Sequence, residues 1–136
     1  MQNVPWNFER FLFWWSLLGA LFLTLTFANR LWPFPFTNPN PTAWQLHVGL
    51  AYDLGNFTFS ILAYFLVRAG RRLVCFTVVA AWIIAKLFYA AAFVVTQPFS
   101  AWAVGIPLGE LLQCAFLIYL SVSEAKSNGL LRGPSA

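Results

Sequence analysis

Three residues in this sequence have the chemistry for a reactive or binding site: Asp53, Lys86 and Glu110. Each interrupts a long apolar run, the lysine within AAWIIAKLFYAAAF (80–93). Two carboxyls and an ammonium gathered away from water can share a proton or hold a charged ligand. They can also serve as general acid, general base and counter-ion. Two carboxylates against one ammonium leave one negative charge over. One carboxyl is therefore expected to hold a proton while the other pairs with Lys86, or the site awaits a cation.

The neighbouring residue types fit a shared polar site. Asp53, Asn56, Ser60 and Tyr64 recur at spacings of three, four and four, which draws one polar stripe along a helix face. Lys86 shares a face with Tyr89, extended by Trp82 and Phe93, and Glu110 shares one with Gln113. The expectation is a buried cluster of Asp53, Asn56, Lys86, Tyr89, Glu110 and Gln113. Trp82 and Tyr64 stand beside it as further candidate ligand-binding residues. The plainer reading is a polar clamp that sets helix register and does nothing else, because interhelical polar contacts are ordinary packing devices in lipid.

The elements that must position these residues are membrane spans. Of 136 residues, 60% are hydrophobic and 9% charged, whereas soluble domains carry roughly 25% charged residues. A bilayer crossing needs about 20 mostly apolar residues, and four stretches qualify, at about 8–29, 44–67, 73–96 and 100–123. They make one domain over 1–125, followed by a short polar tail at 126–136. The first run is too long for the core of a secretory signal, and Glu9 beside Arg10 dilutes the positive flank such a signal needs. It is read as a retained helix, with Asn3 as N-cap and Pro5 in its first turn. The expected fold is all-α, an antiparallel bundle of four transmembrane helices.

Depth supports the cluster. Asp53 lies nine residues after Trp44 and Glu110 eight after Trp102, roughly 12–14 Å inward at helical rise. Lys86 is fourteen residues from Arg72 and eleven from Gln97. Three helices thus each bring one ionisable group to a similar depth, where an unpaired charge costs at least about 2.5–3.5 kcal/mol. Pro107, one turn before Glu110 in GIPLGE (105–110), bears on this coincidence. Inside a long span it frees the carbonyl of Ala103. As the first residue of a span over 107–123 it would lift Glu110 toward the surface. The longer span is preferred because Trp102 suits an interface, and Gly105 with Gly109 forms a GxxxG pair that permits close helix approach.

RAGRR (68–72) and TQPFS (96–100) are tight connections, with Gly70 suited to a helix C-cap. RLWPFPFTNPNPTAW (30–44) carries four prolines and four aromatics. It reads as an extended interfacial belt with Trp32 and Trp44, or as a docking surface for another protein. Four crossings would put Arg10, Arg68, Arg71, Arg72, Lys126 and Arg132 on one side and Arg30 alone on the other. That bias predicts an integral multi-pass protein, expected in a bacterial inner membrane, with both termini cytoplasmic. It also accounts for the net charge of +4 without nucleic acid.

Cys75 and Cys114 stand alone, and His47 has no ligand-type neighbour at helical spacing. No metal or cofactor is expected, and no phosphate loop, zinc spacing or nucleophile elbow is present. The expected partners are the lipid bilayer, a small molecule or ion, and either further copies of the chain or another membrane subunit. Three functions fit, in descending order. The first is a binder or proton-coupled carrier of a small solute, working as an oligomer. The second is an accessory subunit of a larger membrane complex. The third is an intramembrane lipid-modifying enzyme of isomerase type, with the buried carboxyls as acid and base.

Overall fold

The structure is a computed structural model that describes residues 7–32, 43–96, 101–127 and 129. Four helices account for nearly all of them: α1 (Phe8–Leu31), α2 (Ala43–Arg68), α3 (Arg72–Thr96) and α4 (Ala101–Ser127). All four contain spans long and apolar enough to cross a membrane. Their outward side chains are apolar as well: Phe22, Phe65, Phe88 and Leu112 are all more than half exposed. A soluble bundle would turn charge to that surface, so the protein is an integral, multi-pass membrane protein.

Local chemistry sets the helix limits. Asn3 and Pro5 lie outside the described residues, and α1 is capped by Asn7, whose side chain accepts the Arg10 backbone N–H at 2.8 Å. Glu9 in the first turn and Arg30 in the last complement the helix dipole. At the end of α2, Gly70 adopts φ +73°. Its N–H reaches the Val67 carbonyl at 3.0 Å, while that of Arg71 reaches Leu66 at 2.9 Å, which closes a Schellman motif. Helix α4 runs through Pro107, its seventh residue, so the longer fourth span is the one formed. Of the Pro-aromatic connection only the flanks are described, with Trp32 80% exposed after α1. The side chains of Trp44 and Trp102 lie outside the described set.

Each helix packs on its successor, whereas α4 returns to α1 only loosely, so the bundle has one slack seam. Its apolar core occupies the end formed by the start of α1, the end of α2, the start of α3 and the end of α4. Phe8, Leu12, Ala63, Cys75, Val79 and Leu117 interlock there. Ion pairs at 3.8 Å tie this end together, Arg68 to Glu9 and Arg72 to Glu124. Pairs this open to solvent contribute little stability.

The α1–α2 crossing is the closest approach with a glycine in it. A Cβ on Gly19 would sit 3.2 Å from the Cα of Phe57. Gly19→Val should therefore force the two backbones apart and destabilise the bundle by about 1–3 kcal/mol, read as a lowered unfolding midpoint in detergent. An unchanged midpoint would mean that the helices are not this close. Gly105 and Gly109 differ, for nothing lies within 4 Å of a Cβ built on either. The close approach that their spacing permits is not made inside the chain.

Candidate functional site

Lys86 sits on the inward face of α3 and is 1% exposed. An ammonium has three protons to donate and no water to receive them here. Its Nζ meets Glu110 Oε2 at 2.9 Å, Gln113 Oε1 at 2.7 Å and the Tyr52 hydroxyl at 3.2 Å. Glu110 and Gln113, one turn apart on α4, reach the lysine from the same face. Tyr52 on α2 closes the circuit, since its hydroxyl also donates to Glu110 Oε1. The rings of Tyr52, Trp82 and Trp15 lie 5.3, 5.8 and 5.9 Å from the ammonium, within cation–π range. Lys86 is thus saturated by its own chain. Both oxygens of Glu110 are engaged, and the ion pair is neutral as a unit.

The expected trio is divided. Asp53 does not join Lys86; its Oδ2 accepts the hydroxyl of Thr26 on α1. Asn56 faces α3, where its Oδ1 accepts the Trp82 indole N–H at 2.8 Å. Ser60 is fully buried and bonds back to the carbonyls of Asn56 and Phe57 in its own helix. Tyr64 lies away from the cluster, near the core end, where its hydroxyl accepts from Arg68 at 3.1 Å and its ring lies 5.6 Å from Phe13. Trp82 is buried beneath the ammonium. Tyr89 stacks on Tyr52 with centroids 3.8 Å apart, which holds the tyrosine hydroxyl toward Glu110.

What reunites most of these groups is a cleft of about 720 Å³. Tyr52, Asp53 and Asn56 form one wall, Glu110 and Gln113 another, and Trp15, Leu18, Gly19 and Phe22 of α1 a third, with Tyr89 from α3. Its volume falls within the range of about 300–1,000 Å³ usual for small-molecule sites. Asp53 and Glu110 therefore share a cavity without sharing the lysine.

Sequence reasoning missed Tyr52, Trp15 and Thr26. Tyr52 had a signal, since it stands four residues before Asn56 and so on the same face. Trp15 and Thr26 lie in a helix with no ionisable side chain between Arg10 and Arg30 to orient it. Among the described residues no group of three His, Cys, Asp or Glu side chains is placed to hold a metal ion. In comparisons with known proteins the chain matches no family model, no curated protein and no solved structure.

Proposed function

We propose that the protein binds a small molecule within the bilayer, as a binder or carrier, in the cleft walled by Tyr52, Asp53, Asn56, Glu110 and Gln113. The observation that carries this reading is a cavity of about 720 Å³ between apolar helices, with these five polar side chains set into a largely apolar wall. A clamp needs its polar groups to meet one another, whereas here several of them also face a common space. Lys86 acts as a positioning residue. It orients Glu110 and Gln113 and has no proton left to offer a ligand. The same saturation speaks for a binder over an accessory subunit whose lysine pairs with another chain.

Native mass spectrometry of the full chain in mild detergent tests this. The wild type should retain a small-molecule adduct, and the spectrum counts the copies, expected to be more than one. Gly49 lines the cleft and has nothing within 4 Å of a built Cβ, so Gly49→Phe should fill the space without touching the ion pair. It should abolish the adduct and leave the fold intact. An adduct indifferent to Gly49→Phe, or a stoichiometric foreign chain in its place, would overturn the reading.

We further propose a bacterial inner-membrane orientation with both termini cytoplasmic. Arg10, Arg68, Arg71, Arg72 and Lys126 gather at one end of the bundle against Arg30 at the other. A C-terminal reporter should be active in the cytoplasm and silent outside it. The reverse result would reject this orientation.

A further inference from the structure

A second cavity, of about 610 Å³, lies on the slack seam between α1 and α4 toward the core end. It is walled by apolar and aromatic side chains such as Trp14, Phe116 and Leu120, and it shares Trp15 and Leu18 with the polar cleft. The two cavities therefore adjoin. One end is polar, the other apolar, and both border a seam whose rims, Leu18, Phe22 and Trp14, are 39%, 53% and 57% exposed to the lipid side.

The charge at the polar end decides what fits. Asp53 and Glu110 both face the cleft, and Lys86 behind them is used up by Glu110, Gln113 and Tyr52. Asp53 receives the Thr26 hydroxyl, and no cationic side chain among the described residues lies within ion-pair distance of it. A carboxylate inside the hydrocarbon is costly without a counter-charge. An anionic ligand would meet two carboxyls and no free ammonium proton, whereas a cation would supply the missing partner. The wall is also aromatic, with Trp15, Phe22, Tyr52 and Tyr89 lining the space, and aromatic faces attract organic cations. A metal ion needs several ligands converging on one point, and among the described residues no three His, Cys, Asp or Glu side chains converge so.

We propose that the adjoining cavities together bind an amphiphilic organic cation, a protonated amine or quaternary ammonium on an apolar chain, with its charge beside Asp53 and its chain passing Trp15 and Leu18 to lie along Trp14 and Phe116. The ligand enters sideways from lipid through the α1–α4 seam. This rests on the small-molecule reading above and names the chemical class that the same site takes.

The test uses the full chain in lipid nanodiscs and three radiolabelled probes: dodecyltrimethylammonium, its uncharged tert-butyl analogue and dodecyl sulfate. Dodecyltrimethylammonium should bind saturably, the neutral analogue about tenfold or more weakly, and the sulfate not at all. Asp53→Asn keeps an acceptor for Thr26 and should weaken the ammonium about tenfold while leaving the neutral analogue unchanged. Trp14→Ala removes a ring that is more than half exposed on α1. It should weaken dodecyltrimethylammonium but spare butyltrimethylammonium. Saturable binding of the neutral or sulfate probe as strong as that of the ammonium, and blocked by Gly49→Phe, would overturn the cation class and leave the cleft as a binding site. Ammonium binding indifferent to Asp53→Asn would also overturn it. If none of the probes bound saturably the cation proposal would fail, and the wild-type adduct in native mass spectrometry would decide separately whether the small-molecule reading falls with it.

Discussion

Lys86→Met should lower the stability of the bundle by about 3–5 kcal/mol, the usual result of stranding one partner of a buried ion pair. Methionine nearly matches the volume of the lysine stem, so the loss comes from polar groups and not from a cavity. Glu110, 5% exposed, would keep only the Tyr52 hydroxyl, and Gln113 would lose its 2.7 Å bond to the ammonium. No water waits in the hydrocarbon to take the place of the lysine. The direct measurement is the unfolding midpoint in detergent or bicelles, for the single variant and for the double variant with Glu110→Gln. The double variant should recover much of the loss, because a neutral amide no longer needs a counter-charge. An unchanged midpoint for Lys86→Met would show that the network does not hold the helices together, and the positioning role would have to be abandoned.

Trp82→Ala should be comparably severe, about 3–5 kcal/mol by the measure of large aromatic truncations in packed interiors. In lipid the hydrophobic driving force between helices is absent, so the cost is the dispersion attraction forfeited around a void. Trp82 is 1% exposed and stands where the apolar core meets the polar layer. Its ring lies below the ammonium, and its indole N–H satisfies Asn56. Trp82→Phe separates these roles. It keeps most of the ring and should cost about 1–3 kcal/mol for the stranded Asn56 oxygen. Because Trp82 does not line the cleft, Trp82→Phe should leave probe binding near wild type at temperatures where the variant is folded. A variant that lost binding while fully folded would put Trp82 in the site itself.

The two variants probe one design. An apolar core closes the end that holds the first turns of α1 and the last turns of α4, a saturated ion pair lies above it, and the cleft opens on the far side of that pair. Neutralising the lysine within the chain lets the polar layer be both rigid and available. Glu110 and Gln113 are held by it, while Asp53, which accepts the Thr26 hydroxyl, stands apart from the ion pair on the wall of the cavity.

Much of this was legible in the residues alone. The four spans end within a few residues of the observed helices, because a long apolar run bounded by charge, glycine and proline has no other stable form in lipid. The Lys86–Glu110–Gln113 contact was also legible. Equal depth on neighbouring antiparallel helices, with two acceptors one turn apart, leaves a buried ammonium few alternatives. Helix rotation was decided only by the tertiary structure. Adjacent residues on a helix differ by about 100° in direction, so Tyr52 and Asp53 cannot both face the lysine. The choice between them depends on how α1 packs on α2, where a glycine at position 19, with no side chain of its own, lets the helices close at Phe57. That crossing turns Asp53 to Thr26 and Tyr52 to Lys86. Charge in the sequence offered Asp53 and Glu110 alike as partners of the lysine, but the packing of two apolar faces, which carry no such mark, kept Asp53 away and brought a tyrosine in beside Glu110.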